Sequence, residues 1–267
     1  MESLRLAADA LINSPAAHPL DPLTLAYLRS PSSAATILSG YLTANTSPAS
    51  PPDPSAAAAA FAKTLAFRKD IFSEDFHPPR VAVEKLQGRI PVVVSGKVSE
   101  GGEPVVWSRV ADLNVWTFSK EEARKMFVAV VDSVLFEGDG VELPERLTAV
   151  IDLENFSLYK NFAITYAMEV NDIAMQHYPH RFGRLFLVNY PPVFLGAYKL
   201  LRPILTDYIR SLLVFLGSDE QLDEMGESFA GLPPLDVLRR FLDDDAIPPA
   251  LLAAEEAQAA ATAGAPM

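Results

Sequence analysis

An α/β architecture, a mainly parallel β-sheet floor covered by helices and preceded by a small helical region, is the fold class this sequence predicts. Three observations carry it. From about Val81 onward, short β-rich runs alternate with helical segments, the order that places parallel strands side by side with helices as crossovers. Leu147 to Leu153 is a short apolar run of the kind found in a buried parallel strand. The residues before Val81 read instead as short helices, with apolar positions at helical spacing.

Taken in order, the first helical patterns are Leu4 to Ile12, Leu23 to Leu28 and Ile37 to Leu42. Asp21-Pro22 is a good helix start, with aspartate capping and proline in the first turn. An Ala/Pro/Ser-rich insert at 43–60 holds Pro48, Pro51, Pro52 and Pro54 and leads into a helix over Ala56 to Phe72. Pro91 to Val98 and Pro104 to Val110 are β-rich runs joined by Glu100-Gly101-Gly102, a hairpin signature. Ser119 with Glu122 three residues on forms a capping box that opens a helix ending near Phe136. After the strand at Leu147 to Leu153 comes a helix from about Ser157 to His177, with Ala163, Tyr166, Ala167, Val170 and Ala174 on one face. Leu185 to Asn189 is a strand, Val193 to Arg202 a helix ended by Pro203, and Leu212 to Leu216 a last strand. Asp219 to Met225 and Leu235 to Leu242 are helical, and an Ala-rich tail follows. The expected division is a helical region over 1–75, one α/β domain over 76–253 and a disordered tail over 254–267.

Composition narrows the function. Cysteine is absent, so disulfides and thiolate metal sites are excluded and a reducing compartment is the simpler assumption. Glu2, Arg5 and Asp9 interrupt the N-terminus, where a signal peptide needs an unbroken apolar core. The most apolar region, Val193 to Leu216, is interrupted by five charged or proline positions, so no membrane span is expected. A cytoplasmic chain is the expectation. A net charge of −12 repels phosphate backbones, which argues against a nucleic-acid partner. Charge is uneven, however. Between Tyr178 and Leu216, Arg181, Arg184, Lys199, Arg202 and Arg210 face the single acid Asp207, five against one, a net +4. That stretch is either a solvated face or a docking face for a membrane.

Signs of catalysis are weak. Gly96-Lys97 lacks both the upstream glycine and the following Ser or Thr of a phosphate loop. Gly226-Glu227-Ser228-Phe229-Ala230 approaches a nucleophile elbow, but its final glycine is displaced and no strand precedes it. His177 and His180 flank a Tyr-Pro pair with no matching carboxylates, which favours structural or solvated histidines over a metal site. Asp152 and Glu154 follow a strand and precede a helix, where capping is the favoured reading. Neither an enzyme, a metal nor a cofactor is indicated.

The stretch Tyr178-Pro179-His180-Arg181-Phe182-Gly183, continuing through Arg184 to Asn189-Tyr190-Pro191, resembles the CRAL-TRIO lipid-binding family. Arg202-Pro203-Ile204-Leu205 and Val214-Phe215-Leu216-Gly217-Ser218 continue the likeness, Gly102-Glu103-Pro104-Val105-Val106 and Val150-Ile151-Asp152-Leu153 extend it upstream, and weak matches surround Tyr27 and Phe67. The resemblance implies non-enzymatic binding and intermembrane transfer of a hydrophobic, lipid-like ligand. The ligand would lie in a slot between the sheet and helices, closed by a mobile gate helix over Val193 to Arg202. Matched positions put Val106, Ser108, Leu147, Ala149, Ile151, Leu213 and Phe215 on the slot floor; each strand's set shares one parity, which strand alternation requires. Ala163, Ala167, Val170 and Ala174 would line a wall, and Phe194, Tyr198 and Leu201 the gate. Those small residues either leave room for a guest or pack tightly; the sequence is compatible with both. Lys199 and Arg202 would face a membrane transiently.

The departures from the pattern concern the headgroup. Positions that hold phosphatidylinositol in the family read His180, Ile209 and Leu212 here, and its basic pair falls on Pro31 and Ser32. Hydroxyl positions that meet phosphatidylcholine read Val106, Leu147, Ala149 and Ala174. A phosphate without paired donors costs several kcal/mol to desolvate, so a less polar ligand is expected. The alternative is a lipid-sensing scaffold or regulatory module with protein partners that the sequence does not name.

Overall fold

The computed structural model describes residues 2–13, 30–46, 51–71, 92–97 (as backbone), 102–117, 119–136, 143–216, 233–247 and 252. The helices expected at 23–28 and 219–225, the 226–230 motif, the hairpin tip at 100–101, the 75/76 boundary and the 254–267 tail lie outside these residues.

Three helices come first: α1 (Glu2–Ile12), α2 (Pro31–Ala44) and α3 (Pro54–Ile71). Leu4, Ala8, Leu38, Tyr41, Ala57, Phe61 and Leu65 form a small core of their own between them. A proline opens α2 and α3, where its missing N–H costs nothing. Asp53 accepts from the backbone N–H groups of Ser55 and Ala56 at the start of α3.

A five-stranded sheet follows in the sequential order β1 (Val92–Lys97), β2 (Pro104–Arg109), β3 (Leu147–Asp152), β4 (Phe182–Val188), β5 (Leu213–Leu216). The expected hairpin is present as the antiparallel β1–β2 pair, and β2 to β5 are all parallel. Helix α4 (Lys120–Leu135) crosses from β2 to β3. Its capping box forms: Ser119 Oγ accepts from Glu122 N at 3.2 Å and Glu122 Oε2 from Ser119 N at 2.9 Å. Helices α5 (Leu158–Asn161) and α6 (Ile164–His177) connect β3 to β4; α7 (Pro192–Leu201) and α8 (Asp207–Leu212) connect β4 to β5; α9 (Pro234–Leu238) follows.

Four boundaries depart from expectation. The single helix expected over 157–177 is two, because Phe162 and Ala163 are extended. Asn161 ends the first of them: its Oδ1 accepts from Ser157 N, and its Nδ2 donates to the carbonyls of Val110 and Leu113, a side chain competing with the helix backbone. Strand β4 starts at Phe182 rather than Leu185. Gly183 hides it from a pattern reading; the Glu103 carboxylate lies against the position a Cβ would take there. Residues 207–212 form α8 before β5, capped by Thr206, whose Oγ1 accepts from Ile209 N. Beyond Leu238 the chain tightens, with Arg240 N bonded to Val237 O and Phe241 N to Leu238 O, so the helix expected to reach Leu242 is shorter.

The sheet has two differently packed faces. On one, Val105, Trp107, Val150, Phe186, Val188 and Leu216 join Leu235, Val237, Leu238 and Ile247 in one core, and Trp107 Nε1 donates to Ala246 O at 2.6 Å. On the other, α3, α4 and α6 pack over the strand starts around Val106, Leu147 and Phe182.

A buried polar cluster joins the N-terminal helices to this second layer. Arg68 of α3 makes a two-pronged ion pair with Asp132 of α4, at 3.2 and 2.7 Å, and Tyr178 Oη donates to Asp132 Oδ1 at 2.7 Å. Beside it, Tyr41 Oη lies 2.8 Å from Thr64 Oγ1 and 3.0 Å from His177 O. His177 Nδ1 is 3.0 Å from Thr64 Oγ1, and its ring stacks on Phe67. Burial, reinforced by Arg124 and Arg68, lowers the His177 pKa to about 4.

Removing one member of a buried, hydrogen-bonded pair strands the other. Asp132→Ala should therefore cost about 3–5 kcal/mol of unfolding free energy, whereas Arg68→Met with Asp132→Leu should cost much less; urea denaturation measures both. For His177 the folded pKa lies below the unfolded value near 6.5, so the unfolded chain takes up the proton first. Stability should fall as pH drops from about 6.5 to about 4 through this group, and His177→Phe should flatten that part of the stability curve relative to the wild type.

Candidate functional site

The strand registers set most of the residues expected on the floor side by side on one face of the sheet. Val106 pairs with Ala149 and Ser108 with Ile151; Ala149 pairs with Leu185 and Ile151 with Leu187; Leu185 pairs with Leu213 and Leu187 with Phe215. Neighbouring strands pleat together, so these side chains share the face opposite Val105, Trp107 and Phe186. Val106 and Leu147 are buried, while Ser108, Ala149, Ile151, Leu213 and Phe215 are only half-buried. Leu185 and Leu187 of the central strand belong to the same floor and were not singled out from the sequence. Their odd numbering within the predicted strand is the signal that would have found them.

Packing on this face is divided. Ala149, Leu185 and Leu212 flank the cluster at the strand starts. Ile151, Leu213 and Phe215 flank a separate cluster at the strand ends, made of Leu153, Phe156, Leu187, Tyr190, Phe194 and Ala197. The opposite face holds one continuous core. Between the two clusters lie Ala149, Ile151, Leu185 and Leu213, side chains in the middle of a five-stranded sheet that retain accessible surface.

Helix α7 lies over the strand ends. The Tyr198 ring meets Phe215 edge-on at 5.0 Å, Phe215 meets Tyr190 at 5.6 Å, and Phe194 meets Phe156 at 5.3 Å. Phe194 is buried, Leu201 half-buried, Lys199 exposed and Arg202 half-buried. Of the wall residues, Ala167 and Val170 on α6 are half-buried, Ala174 is buried in the strand-start cluster, and Ala163 is the N-cap of α6 rather than part of a continuous helix. Two of the five bases between 178 and 216 do not belong to a common docking face. Arg181 is 5% exposed, and the Arg184 guanidinium stacks 4.2 Å from the Phe241 ring.

The positions expected for a headgroup are poor in donors. His180 has a left-handed backbone (φ 57°) and its ring leans on Tyr208 at 4.5 Å, while Tyr208 Oη donates to Phe182 O at 2.8 Å. Burial, with Arg146 nearby, lowers the His180 pKa, so its neutral form is favoured. Ile209 is buried and Leu212 half-buried. Arg181 brings a cation, but burial lowers its pKa to about 10, and its Nη1 and Nη2 have no hydrogen-bond partner among the described residues.

No cluster of three metal-ligating side chains occurs among the described residues. His177 is committed to Thr64 and Phe67. Asp152 does not cap a helix: its Oδ1 accepts from Glu154 N and from Asn189 Nδ2 in the turn after β3, and the cap of α5 is Ser157. Asn189 also carries a positive φ of 53°, a conformation that asparagine tolerates better than most residues.

A mostly parallel sheet with one sealed face, and an aromatic helix over its strand ends on the other, defines the class, an α/β domain. The CRAL/TRIO domain model matches residues 91–230, more than half of the chain. The chain belongs to the CRAL/TRIO lipid-binding family. It is 27% identical over 140 residues to the SEC14 cytosolic factor of Candida glabrata, covering 47% of this chain and 45% of that protein. It is 32% identical over 82 residues to the SEC14 cytosolic factor of Kluyveromyces lactis, covering 30% of this chain and 27% of that one. The matched region thus spans less than half of these relatives. Among solved structures, Sfh5 superposes with a TM-score of 0.51 at 18% identity, over 68% of this chain and 64% of Sfh5, which supports the fold. No described helix is long and apolar enough to cross a membrane.

Proposed function

We propose that this chain is a non-enzymatic carrier: it holds a hydrophobic, lipid-like molecule between the sheet and helices α6 and α7 and exchanges it with membranes. The observation that carries the reading is the contrast between the two sheet faces. Strands whose Val105, Val150 and Phe186 are fully buried leave Ala149, Leu185 and Leu213 half-buried on the other side. Apolar side chains in mid-sheet gain about 25 cal/mol per Å² when covered, so a partly uncovered floor is a place for an apolar guest. The SEC14 cytosolic factors are consistent with a cytosolic protein.

The ligand is of low polarity. A phosphorylated headgroup would meet Ile209 and Leu212, which offer no side-chain donor, and a neutral-leaning His180. Energetics favour exchange over storage: a protein site offers an acyl chain about 0.8 kcal/mol per methylene, which a bilayer offers equally. Protein and membrane then nearly balance, and opening of the gate helix α7, bounded by Pro191-Pro192 and Pro203, sets the rate. Lys199 and Arg202 would meet lipid phosphates during that step.

Native mass spectrometry of the purified chain, followed by organic extraction, should find a copurifying lipid-like molecule. Ala149→Trp should abolish its retention, and its transfer between vesicles, while the protein stays folded by circular dichroism. Undiminished retention in the Trp variant would place the ligand elsewhere, and a ligand-free protein that moves no lipid between vesicles would point to a scaffold instead.

A further inference from the structure

The large apolar side chains left exposed are strongly clustered. Among the described residues there are eight, and all but Leu6 sit on four neighbouring segments. Trp116 lies on the 3-10 turn Val115–Thr117, Leu158 and Tyr159 on α5, Ile164 and Met168 on α6, and Val193 and Leu200 on α7. The short helix α5 touches both that turn and α7, and α6 also touches α7. Trp116 and Tyr159 are the most exposed, at 66% and 83%.

These two form a built corner. Trp116 Nε1 donates to the Tyr159 carbonyl, and the rings lie 6.4 Å apart. Asn161, 7% exposed, ties α5 to the carbonyls of Val110 and Leu113, and Lys160 Nζ donates to Ala111 O at 2.7 Å. These bonds tie the corner to the Val110–Leu113 segment that follows β2, and α5 also touches α7.

Charge names the partner. The stretches 113–117, 155–168 and 189–206, which carry most of the patch, contain Lys160, Lys199 and Arg202 and no acid, in a chain with 34 acids among 267 residues. Asp112, Glu154, Glu169 and Asp207 stand just outside them; Glu154 lies 3.9 Å from Arg109, Glu169 pairs with Lys120 and Arg124, and Asp207 with Arg210. An apolar surface whose own segments carry basic residues, with its bordering acids Glu154, Glu169 and Asp207 paired to arginine or lysine, suits the phosphate-bearing interface of a phospholipid bilayer, where Trp and Tyr rings settle at headgroup level.

We infer that the Trp116–Tyr159 corner is a fixed membrane anchor, which seats the protein on a phospholipid bilayer while α7 is free to move. The inference rests on the carrier reading for its purpose, but its test is independent of it. The chain has two tryptophans, and Trp107 is buried with its indole N–H bonded to Ala246 O. Phosphatidylcholine vesicles brominated on the acyl chains should quench and blue-shift the Trp116 emission of the full chain, and Trp116→Phe should leave an unquenched Trp107 signal.

Trp116→Ser with Tyr159→Ser should weaken vesicle cosedimentation about tenfold or more, with little salt dependence, because the lost contribution is apolar and interfacial. The same variant should retain whatever ligand copurifies with the wild type. Unquenched Trp116, or equal vesicle binding by the double variant, would overturn the anchor. So would a wild-type dimer in light scattering that the double variant abolishes, since the corner would then cover a second copy. Quenching without any copurifying ligand would sink the carrier reading and leave the anchor standing.

Discussion

Successive side chains on a strand point to opposite faces, and from Val105, Ala149, Leu185 and Leu213 onward the registers of β2 to β5 keep neighbouring strands' faces aligned, past an irregularity between Leu147 and Ala149. A sheet built this way must satisfy two environments at once. Here one face is sealed by a continuous core in which Val105, Val150 and Phe186 lose all contact with solvent. On the other face Ala149, Leu185 and Leu213 stay half-buried. The divided packing around these residues and the seat of α7 both lie on this second face.

The helical layer is held in place by polar contacts as well as apolar ones. Arg68, Asp132 and Tyr178 draw α3, α4 and the end of α6 together, with the Tyr41, Thr64 and His177 group beside them. Such a cluster is weak evidence of net stability, because both charges are desolvated. What it does is tie α3, α4 and the end of α6 together through directional bonds. The wall of the proposed slot, on α6, is thereby fixed at its C-terminal end, whereas α7 is bounded by prolines and rests on the strand ends through ring contacts.

Much of this was legible in the residues. The capping box of α4, the hairpin pairing of β1 with β2 and the parity of the floor positions depend on near neighbours and on strand alternation, and each appeared as expected. The Tyr178 to Ser218 likeness to the CRAL-TRIO pattern pointed to the family that the domain match then established. Less legible were the elements whose cause is a distant partner. The break at Phe162 depends on Asn161 reaching the carbonyls of Val110 and Leu113, and the early start of β4 on the pairing of Phe182 with Leu147 of β3. The basic stretch from Arg181 to Arg210 looked like one surface because linear charge counting cannot see that Arg181 is enclosed and Arg184 lies on Phe241.

By itself, then, the sequence determined the alternation of strands and helices, the absence of thiol chemistry and the family, since these follow from residue type and spacing along the chain. Only the tertiary structure decided that Leu185 and Leu187 share the floor, that the core on that side is split in two, and that Trp116 stands beside Tyr159. Those facts depend on which segments meet across the fold, with 43 residues separating the last pair. Local propensity carries no record of such distances; packing and hydrogen bonding between remote segments do.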